Sequence, residues 1–215
     1  MAREQLPTFI DNPRDLEALC EHLDQFDILG VDTEFIREAS YIPSLELVQV
    51  AAPDGRVAAI DYGTIGYVEG DPFVELLCDP GILKVMHAAD QDLEMFHLLT
   101  GEVVGPIWDT QLVTGLFGYN GRLGYQAVAE NLLGQKPTKG ETLTDWSQRP
   151  LTPEQLHYAL EDVRCLIPLY DTEVDELEKL GRVDWAHEEC ERARNKVEEM
   201  ITIRADMQTL FLRVK

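Results

Sequence analysis

Two acidic residues close an apolar segment in the first quarter of the chain. Residues 28–36 read ILGVDTEFI, so Asp32 and Glu34 stand two residues apart at the end of a predicted strand. Side chains alternate along an extended backbone, which places both carboxylates on the same side. Two carboxylates this close repel each other unless a cation lies between them. A hard divalent ion such as Mg²⁺ or Mn²⁺ is the natural candidate. The alternative is an exposed strand end with two solvated acids.

Two further segments contain candidate ligands. In HAADQDLEMF, Asp92 falls in the first turn of a predicted helix that follows a strand, and Asp90 is closer to the capping position. The helix dipole alone also favours an acid there. In HYALEDV, Tyr158 and Asp162 are four residues apart and share one helix face. A carboxylate there could hold a metal while the phenol holds a water, and the simpler alternative is a buried Tyr–Asp hydrogen bond.

These residues need a sheet and helices to bring them together. The segments ILGVDTEF, SLELVQVAA and RVAAIDY predict three successive strands, with PDG at residues 53–55 as the turn of an antiparallel hairpin. A helix over DPFVELLCD, capped by Asp71, a strand over ILKVMHAA and a helix over QDLEMFHLLTG follow. This order predicts an α/β domain with a mixed sheet, and sites in such sheets form at the carboxyl ends of strands.

The second half of the chain, from Pro106 onward, has a mostly helical pattern. GYQAVAENLLG predicts an amphipathic helix, and residues 135–150 predict a loop. Thr152 is expected to cap a long helix that extends to Gly181 and that Pro168 should kink or break. A last acidic helix is expected over about 184–203. No repeat or flexible linker interrupts the pattern, so we predict one domain over residues 1–215.

The composition is typical of a soluble globular protein, with 45% hydrophobic and 27% charged residues. No apolar run is long enough to cross a bilayer, and the N-terminus lacks the layout of a signal peptide. We therefore expect a cytoplasmic protein without a membrane association. The four cysteines show no metal-ligand spacing and are expected to be reduced packing residues.

The net charge of −22 argues against a nucleic-acid-binding protein, because phosphate contacts require a basic surface. The charge is uneven, however. Acids are concentrated in residues 171–200, whereas residues 122–164 contain several basic side chains. Global charge governs solubility and long-range steering. It does not exclude a small cleft whose acids are neutralised by metal ions.

Taken together, DTEF, H-x-A-x-x-DL and Y-A-x-x-DV resemble the three-part signature of the DEDD 3′–5′ exonucleases. The tyrosine before the last aspartate marks their tyrosine subclass, and YIPSLELVQVA, IWDTQLV and DWSQRPLTPEQLHYALEDV are similar to ribonuclease D. The resemblance covers nearly the whole chain. It implies a ribonuclease H-like fold with a βββαβα core, flanking helices and a helical C-terminal extension over about 184–215. Ribonuclease D proteins usually continue into helical accessory domains, and MQTLFLRVK at the end of this sequence resembles the stretch that leads into them. Two alternatives stay open: a core-only member without the accessory domains, or a sequence that is cut before them.

The resemblance also implies an activity and a set of site residues. Asp32, Glu34, Asp92 and Asp162 would be catalytic carboxylates that bind two divalent ions, Mg²⁺ or Mn²⁺. Asp32 would bridge both ions, Glu34 and Asp162 would complete one site, and Asp92 would anchor the other. Tyr158 would orient the attacking water. The substrate would be a single-stranded 3′ end of RNA, or of DNA, shortened by one 5′-monophosphate at a time in 3′-end trimming or RNA turnover. No obligate protein partner is implied.

Five further residues are candidates for substrate binding. Phe35 could stack on the terminal base, or it could pack in the core. His87 could contact the substrate, although a buried histidine that only supports the site is the simpler hypothesis. Lys139 and Arg149, together with Arg37, could follow the backbone phosphates, or they could be solvated surface charges.

Three other functions remain open. A DNA exonuclease fits the same motifs, because contacts to the ribose 2′-hydroxyl cannot be identified from sequence. A nuclease-like module that binds without cutting would lack metal-dependent activity. An aspartyl-phosphate phosphatase built on VDTEF would need a second aspartate two residues on, with Thr or Val beyond it. Here those positions are Glu34 and Ile36.

Overall fold

A mixed β-sheet forms the centre of the molecule. The computed structural model describes residues 8–37, 43–119, 122–137 and 144–213, with side chains as far as residue 200. Six strands are found in these ranges: β1 (Phe9–Ile10), β2 (Ile28–Ile36), β3 (Ser44–Ala51), β4 (Val57–Ile60), β5 (Leu83–Met86) and β6 (Ile107–Asp109). Their order across the sheet is β1-β4-β3-β2-β5-β6. The pairs β2–β3 and β3–β4 are antiparallel, and the pairs β1–β4, β2–β5 and β5–β6 are parallel.

Helices connect and flank the strands. In chain order they are α1 (Pro13–Leu23), α2 (Tyr62–Ile65), α3 (Pro72–Cys78), α4 (Asp90–Thr100), α5 (Thr110–Thr114), α6 (Tyr125–Leu133), α7 (Pro153–Arg164), α8 (Leu166–Leu180) and α9 (Val183–Arg213), with a 3₁₀ turn at Gly115–Phe117. Helix α7 packs on β3 and β4, α8 packs on β2 and β5, and α9 packs on α4 and β6. Among the described residues, every helix is too short or too polar to cross a lipid bilayer.

The local signals in the sequence have the predicted effects. Gly55 adopts a φ of 86° in the turn of the β3–β4 hairpin, a conformation that glycine reaches without a steric penalty. The Asp71 carboxylate accepts hydrogen bonds from two amides of α3, and Thr152 begins α7 with a capping box. All four cysteines are free, and three of them are buried. The predicted hairpin and the caps at Asp71 and Thr152 are therefore confirmed.

Three features of the fold differ from the sequence-based expectation. The chain forms strand β6 at Ile107–Asp109, where we expected mostly helix. Strand β6 pairs in parallel with β5, which is distant in the sequence, and a local residue pattern does not encode such a pairing. The N-cap of α4 is Ala89, so Asp90 is the first residue of the helix and not its cap. Helix α9 continues to Arg213, ten residues beyond the end expected from the local pattern and within the helical extension that the resemblance implied, because neither Gly nor Pro occurs after residue 181.

The long C-terminal helix is broken near Pro168, as predicted. Helix α7 ends at Arg164, α8 begins at Leu166, and Pro168 lies in the first turn of α8. A proline is tolerated in a first turn because the amide at that position has no partner within its own helix. The break therefore occurs one turn before the proline.

Among the described residues, no strand pairs with the acidic end of β2 on the side of β5. Strand β2 pairs with β5 only over Ile28–Gly30, so Asp32 and Glu34 lie on the part of β2 that extends beyond β5. Helix α8 approaches β2 closely at Gly30, where an added Cβ would be 3.0 Å from the Cβ of Leu166. The C-terminal helices are thereby held against the strand that carries the first two acids.

Candidate active site

A pocket of about 180 Å³ opens beside the acidic end of β2. Among the described residues, its lining contains three side chains predicted for catalysis, one predicted for substrate binding and two others, namely Asp32, His87, Tyr125, Tyr158, Asp162 and Leu166. The pocket thus brings the end of β2 together with the last turns of α7, although these segments are far apart in the sequence.

The four predicted carboxylates influence one another electrostatically. Burial raises the pKa of Asp32 well above its ordinary value, and the charges of Asp92, Asp162 and Glu34 raise it further. Burial also raises the pKa of Glu34 to about 8, with added contributions from Asp162 and Asp92. All four acids therefore lie within range of mutual repulsion. They do not behave as solvated acids at an exposed strand end.

Asp92 is the most enclosed of the four acids, with 8% of its surface exposed. The hydroxyl of Thr33, on β2, donates a hydrogen bond to its Oδ1 atom. Burial raises the pKa of Asp92 to about 6, against the lowering effect of the Thr33 hydrogen bond. Asp92 lies in the first turn of α4 and does not line the pocket itself, and the Thr33 hydrogen bond connects it to β2.

Tyr158 and Asp162 act as a pair on α7. Burial raises the pKa of Asp162 to about 6, and the Tyr158 hydroxyl acts in the opposite direction. Burial and the Asp162 charge raise the pKa of Tyr158, so its phenol stays protonated near neutral pH. The indole of Trp146 stacks on the Tyr158 ring at a centroid distance of 6.2 Å and an angle of 28°. Trp146 was not predicted, because the loop that carries it has no periodic pattern.

His87 is held by Thr110, the first residue of α5, which directly follows the strand β6 that the sequence pattern did not reveal. Its Nδ1 atom lies 2.8 Å from the hydroxyl of Thr110. The neighbouring Asp109 carboxylate accepts hydrogen bonds from the amides of Ala88 and Ala89, both at 3.0 Å, and fixes the turn in which Ala88 has a φ of 58°. Burial lowers the pKa of His87 and so favours the neutral imidazole. The negative charge of Asp109 acts in the opposite direction. The segment IWDTQLV, noted as similar to ribonuclease D, contains Asp109 and Thr110.

Phe35 and Arg37 contact each other at the end of β2. Phe35 is partly buried against the main core, and the guanidinium of Arg37 lies over its ring at 5.7 Å. Arg37 also pairs with Glu94 at 3.1 Å. Neither side chain lines the pocket. Their proposed contacts with a base and a phosphate stay predictions, and core packing accounts for the position of Phe35.

Arg149 is engaged within the protein, which differs from the expected phosphate-facing position. Its Nε and Nη2 atoms bind the two oxygens of Asp61 at 2.8 and 2.5 Å, and Nη2 is 3.6 Å from Glu46. Its Nη1 atom donates to the carbonyl of Trp146 at 2.5 Å. Arg149 therefore anchors the loop whose Trp146 stacks on Tyr158, and its guanidinium is bound by buried acids. Lys139 lies outside the described residues.

The donor set fits a hard divalent cation by its chemistry. Carboxylate oxygens are the ligands that Mg²⁺ and Mn²⁺ prefer. The charges that act on Asp32 are all negative, so a cation would relieve their repulsion. Within the described ranges, however, no group of three or more His, Cys, Asp or Glu side chains is arranged as a complete ion-binding cluster. The acids are nevertheless near enough for the charges of Asp92, Asp162 and Glu34 to act on Asp32.

Comparison with known proteins assigns the family. A family model described as 3′–5′ exonuclease matches residues 7–178. This chain belongs to the 3′–5′ exonuclease family. Ribonuclease D of Nitrobacter hamburgensis is 40% identical over 182 residues, which are 85% of this chain and 47% of that protein. Ribonuclease D of Granulibacter bethesdensis is 38% identical over 210 residues, 97% of this chain and 51% of that protein. The chain thus spans about half the length of the curated relatives it matches.

Solved structures with similar sequences share the fold. Escherichia coli RNase D, an exoribonuclease involved in structured RNA processing, superimposes with a TM-score of 0.81 and 34% identity, over 88% of this chain and 50% of that one. Brucella melitensis NrnC, in a structure with bound Mg²⁺, gives a TM-score of 0.72 and 25% identity, over 83% and 87%. The predicted ribonuclease H-like α/β fold and the resemblance to DEDD exonucleases are confirmed.

Proposed function

We propose that this chain is the catalytic module of a metal-dependent 3′–5′ exoribonuclease. The observation that carries the proposal is one pocket lined by Asp32, Tyr158 and Asp162, in which the charges of Glu34 and Asp92 also act on Asp32. Family membership supplies the reaction class, and the pocket supplies residues able to perform it. The reaction is an attack of water on the last phosphodiester. The bond to the 3′-oxygen of the preceding nucleotide breaks, and the terminal nucleotide leaves as a 5′-monophosphate.

We propose that the four carboxylates hold two divalent ions, Mg²⁺ or Mn²⁺. Bound ions would stabilise charge on the attacking and leaving oxygens of the phosphodiester. Asp32, at the centre of the acidic group, is the residue suited to contact both ions, with Glu34 and Asp162 completing one site and Asp92 the other. The burial of these acids supports this role, since neighbouring carboxylates in a low-dielectric site favour a cation strongly. The Mg²⁺ bound by the related NrnC supports the metal type.

Tyr158 is the proposed water-positioning residue. Its raised pKa keeps the phenol protonated, so its hydroxyl can accept a hydrogen bond from a water and donate one to Asp162. Trp146 restricts the ring by stacking on it. The tyrosine therefore fixes the direction of the attacking water without exchanging a proton near pH 7.

The proposed substrate is a single-stranded 3′ end of RNA. The relatives of similar sequence are ribonuclease D proteins, and the Escherichia coli enzyme acts in structured RNA processing. We propose the same class of reaction here, namely trimming of 3′ ends. The net charge of −22 opposes RNA binding at long range, and two divalent ions would reduce that repulsion where the phosphates enter. DNA remains the second candidate substrate.

A labelled oligonucleotide assay tests this function. Single-stranded RNA with a 5′ label is incubated with Mn²⁺ or Mg²⁺, and the products are separated by length while the released nucleotides are identified chromatographically. We expect a ladder that shortens from the 3′ end, nucleoside 5′-monophosphates as products, and no reaction in EDTA. An equal concentration of DNA of the same sequence tests sugar preference. Binding of RNA without shortening in Mn²⁺ would instead support a non-catalytic binding module.

A further inference from the structure

Tyr125 contacts the pocket from a helix that the sequence motifs do not include. It is the first residue of α6, and it lines the pocket beside Asp32 and Asp162. Its ring meets His87 edge-on at a centroid distance of 5.8 Å. The sequence pattern GYQAVAENLLG predicted only an amphipathic helix here, with no role for its tyrosine.

The hydroxyl of Tyr125 is inserted into the backbone at the break between α7 and α8. It donates a hydrogen bond to the carbonyl of Glu161 at 2.9 Å and accepts one from the amide of Cys165 at 3.0 Å. In a continuous α-helix, the amide of residue 165 would bond directly to the carbonyl of residue 161. Tyr125 thus stands between two groups that an unbroken helix would join.

Pro168 explains why this insertion occurs at this place. A proline has no amide hydrogen, and its ring blocks the carbonyl four residues before it, which here belongs to Arg164. The helix must therefore bend near Cys165, and its backbone groups there need other partners, because unpaired buried polar groups are costly. A side chain inserted into the ladder is a recognised cause of such a kink. The tyrosine hydroxyl, able to donate and accept at once, satisfies both groups.

Tyr125 is itself held firmly in place. Val128 and Ala129 of α6 pack against Cys165 and Leu169 on the α8 side of the break. Immediately before α6, the side-chain amide of Gln111 donates to the carbonyl of Leu123 at 2.9 Å. The hydroxyl therefore joins a fixed helix to the last turn of α7.

We propose that Tyr125 is a positioning residue of the metal site, because its inserted hydroxyl sets the direction of the last turn of α7 and with it the carboxylate of Asp162. Asp162 directly follows Glu161, whose carbonyl Tyr125 binds, and Tyr158 lies one turn earlier on the same helix. Without the hydroxyl, this turn loses its link to α6, and Asp162 shifts relative to Asp32 on β2. The inference rests on the proposed function and adds a residue to it.

The experiment compares Tyr125→Phe with Tyr62→Phe in the full chain. Tyr62 is buried, and its hydroxyl donates to Asp71 at 2.8 Å, but neither of these residues lines the pocket. Each variant loses one tyrosine hydroxyl, so a general loss of stability affects both. Mn²⁺ affinity is measured by isothermal titration calorimetry without RNA, and kcat and KM are measured with the RNA oligonucleotide, well below the melting temperatures of both variants.

For Tyr125→Phe we expect Mn²⁺ affinity and kcat to fall by roughly tenfold or more, as for other residues that orient metal ligands, with KM for RNA nearly unchanged. Tyr62→Phe should keep the Mn²⁺ affinity and kcat of the wild type. Equal Mn²⁺ affinities in the two variants would overturn the inference. If Tyr125→Phe does not fold, Tyr125→Met, whose flexible side chain fills the same space without a hydroxyl, is expected to show the same loss. A wild-type chain that neither binds Mn²⁺ nor shortens RNA would refute the proposed function itself.

Discussion

The hydroxyl of Thr33 donates a hydrogen bond to the carboxylate of Asp92, and this bond joins two of the three motifs. Thr33 lies on β2 between Asp32 and Glu34, whereas Asp92 lies in the first turn of α4. Thr33 is 7% exposed, so solvent competes little for the hydroxyl. The middle residue of the DTE triplet therefore fixes the distance between the strand and the helix that carry the proposed metal ligands.

We predict that Thr33→Val impairs the metal site while it preserves the fold. Valine keeps the β-branched shape but cannot donate, so Asp92 loses the partner that orients it. Activity should fall by roughly tenfold, the Mn²⁺ concentration for half-maximal rate should rise, and stability should fall by about 1 kcal/mol. The control is Thr33→Ser, which retains the hydroxyl and should retain most activity. If Val and Ser variants need the same Mn²⁺ concentration, the bond does not position Asp92.

Tyr158→Phe should lower turnover with little effect on metal binding. The variant keeps the ring that stacks on Trp146 and loses only the hydroxyl proposed to orient water. We expect kcat to fall by about 10²-fold, in the range found for groups that assist proton transfer, with unchanged Mn²⁺ affinity by calorimetry. Tyr170→Phe, on the neighbouring helix and edge-on to Trp108, is the matched control. A Tyr158→Phe enzyme with wild-type turnover would remove the proposed role.

Arg149→Ala should reduce stability, with KM for RNA unchanged. The variant leaves Asp61 and Glu46 buried without their cationic partner, at 1% and 7% exposure. Loss of one partner of a buried ion pair costs about 3 kcal/mol, measurable by urea denaturation. Lys179→Ala, which breaks an exposed pair with Glu176, should cost well below 1 kcal/mol. A large rise in KM at unchanged stability would instead support the phosphate contact expected from sequence.

Glu173 should make stability depend on pH. It is fully buried, Trp108 donates to its Oε2 atom at 2.7 Å, and burial raises its pKa to about 8, with a smaller contribution from the Asp109 charge. In the unfolded chain the same acid ionises near 4.5. The contribution of protonated Glu173 to the free energy of unfolding is therefore complete below pH 4.5, and it is lost as the pH rises through 8.

The variant Glu173→Gln removes this titration while it keeps an acceptor for Trp108. Thermal unfolding at a series of pH values should show the variant gaining stability over the wild type as pH rises from 5 to 8, by a few kcal/mol at most, since one pKa unit corresponds to about 1.4 kcal/mol. A constant difference between the two proteins over this range would show that Glu173 ionises normally when folded.

Local patterns in the sequence were sufficient for the central part of this fold. The PDG turn, the Asp71 and Thr152 caps and Pro168 each act through neighbours a few residues away, so their effects could be predicted. The DTEF, HAADQDL and HYALEDV motifs were likewise sufficient to nominate residues that meet near one pocket, because strand and helix periodicity determine which side chains share a face.

Contacts between distant segments could not be predicted in this way. Strand β6 has three residues and exists because it pairs with β5. Trp146 and Tyr125 support the site from a loop and from another helix, and nothing in their own segments specifies the partner. The partner of Arg149 could not be predicted for the same reason, because the sequence of its loop does not indicate that Asp61 binds it. These pairings depend on three-dimensional packing rather than on spacing along the chain.

The central claim is that the acids around the pocket form a metal-dependent nuclease site. The most direct test is the initial rate of 3′-nucleotide release from single-stranded RNA in Mn²⁺, measured for the wild type, Asp32→Ala, Asp162→Asn and the control Asp171→Asn, which alters an exposed aspartate on α8. We predict that the first two variants fold normally and release no nucleotide, while Asp171→Asn retains the wild-type rate. Full activity in both Asp32→Ala and Asp162→Asn would contradict the account.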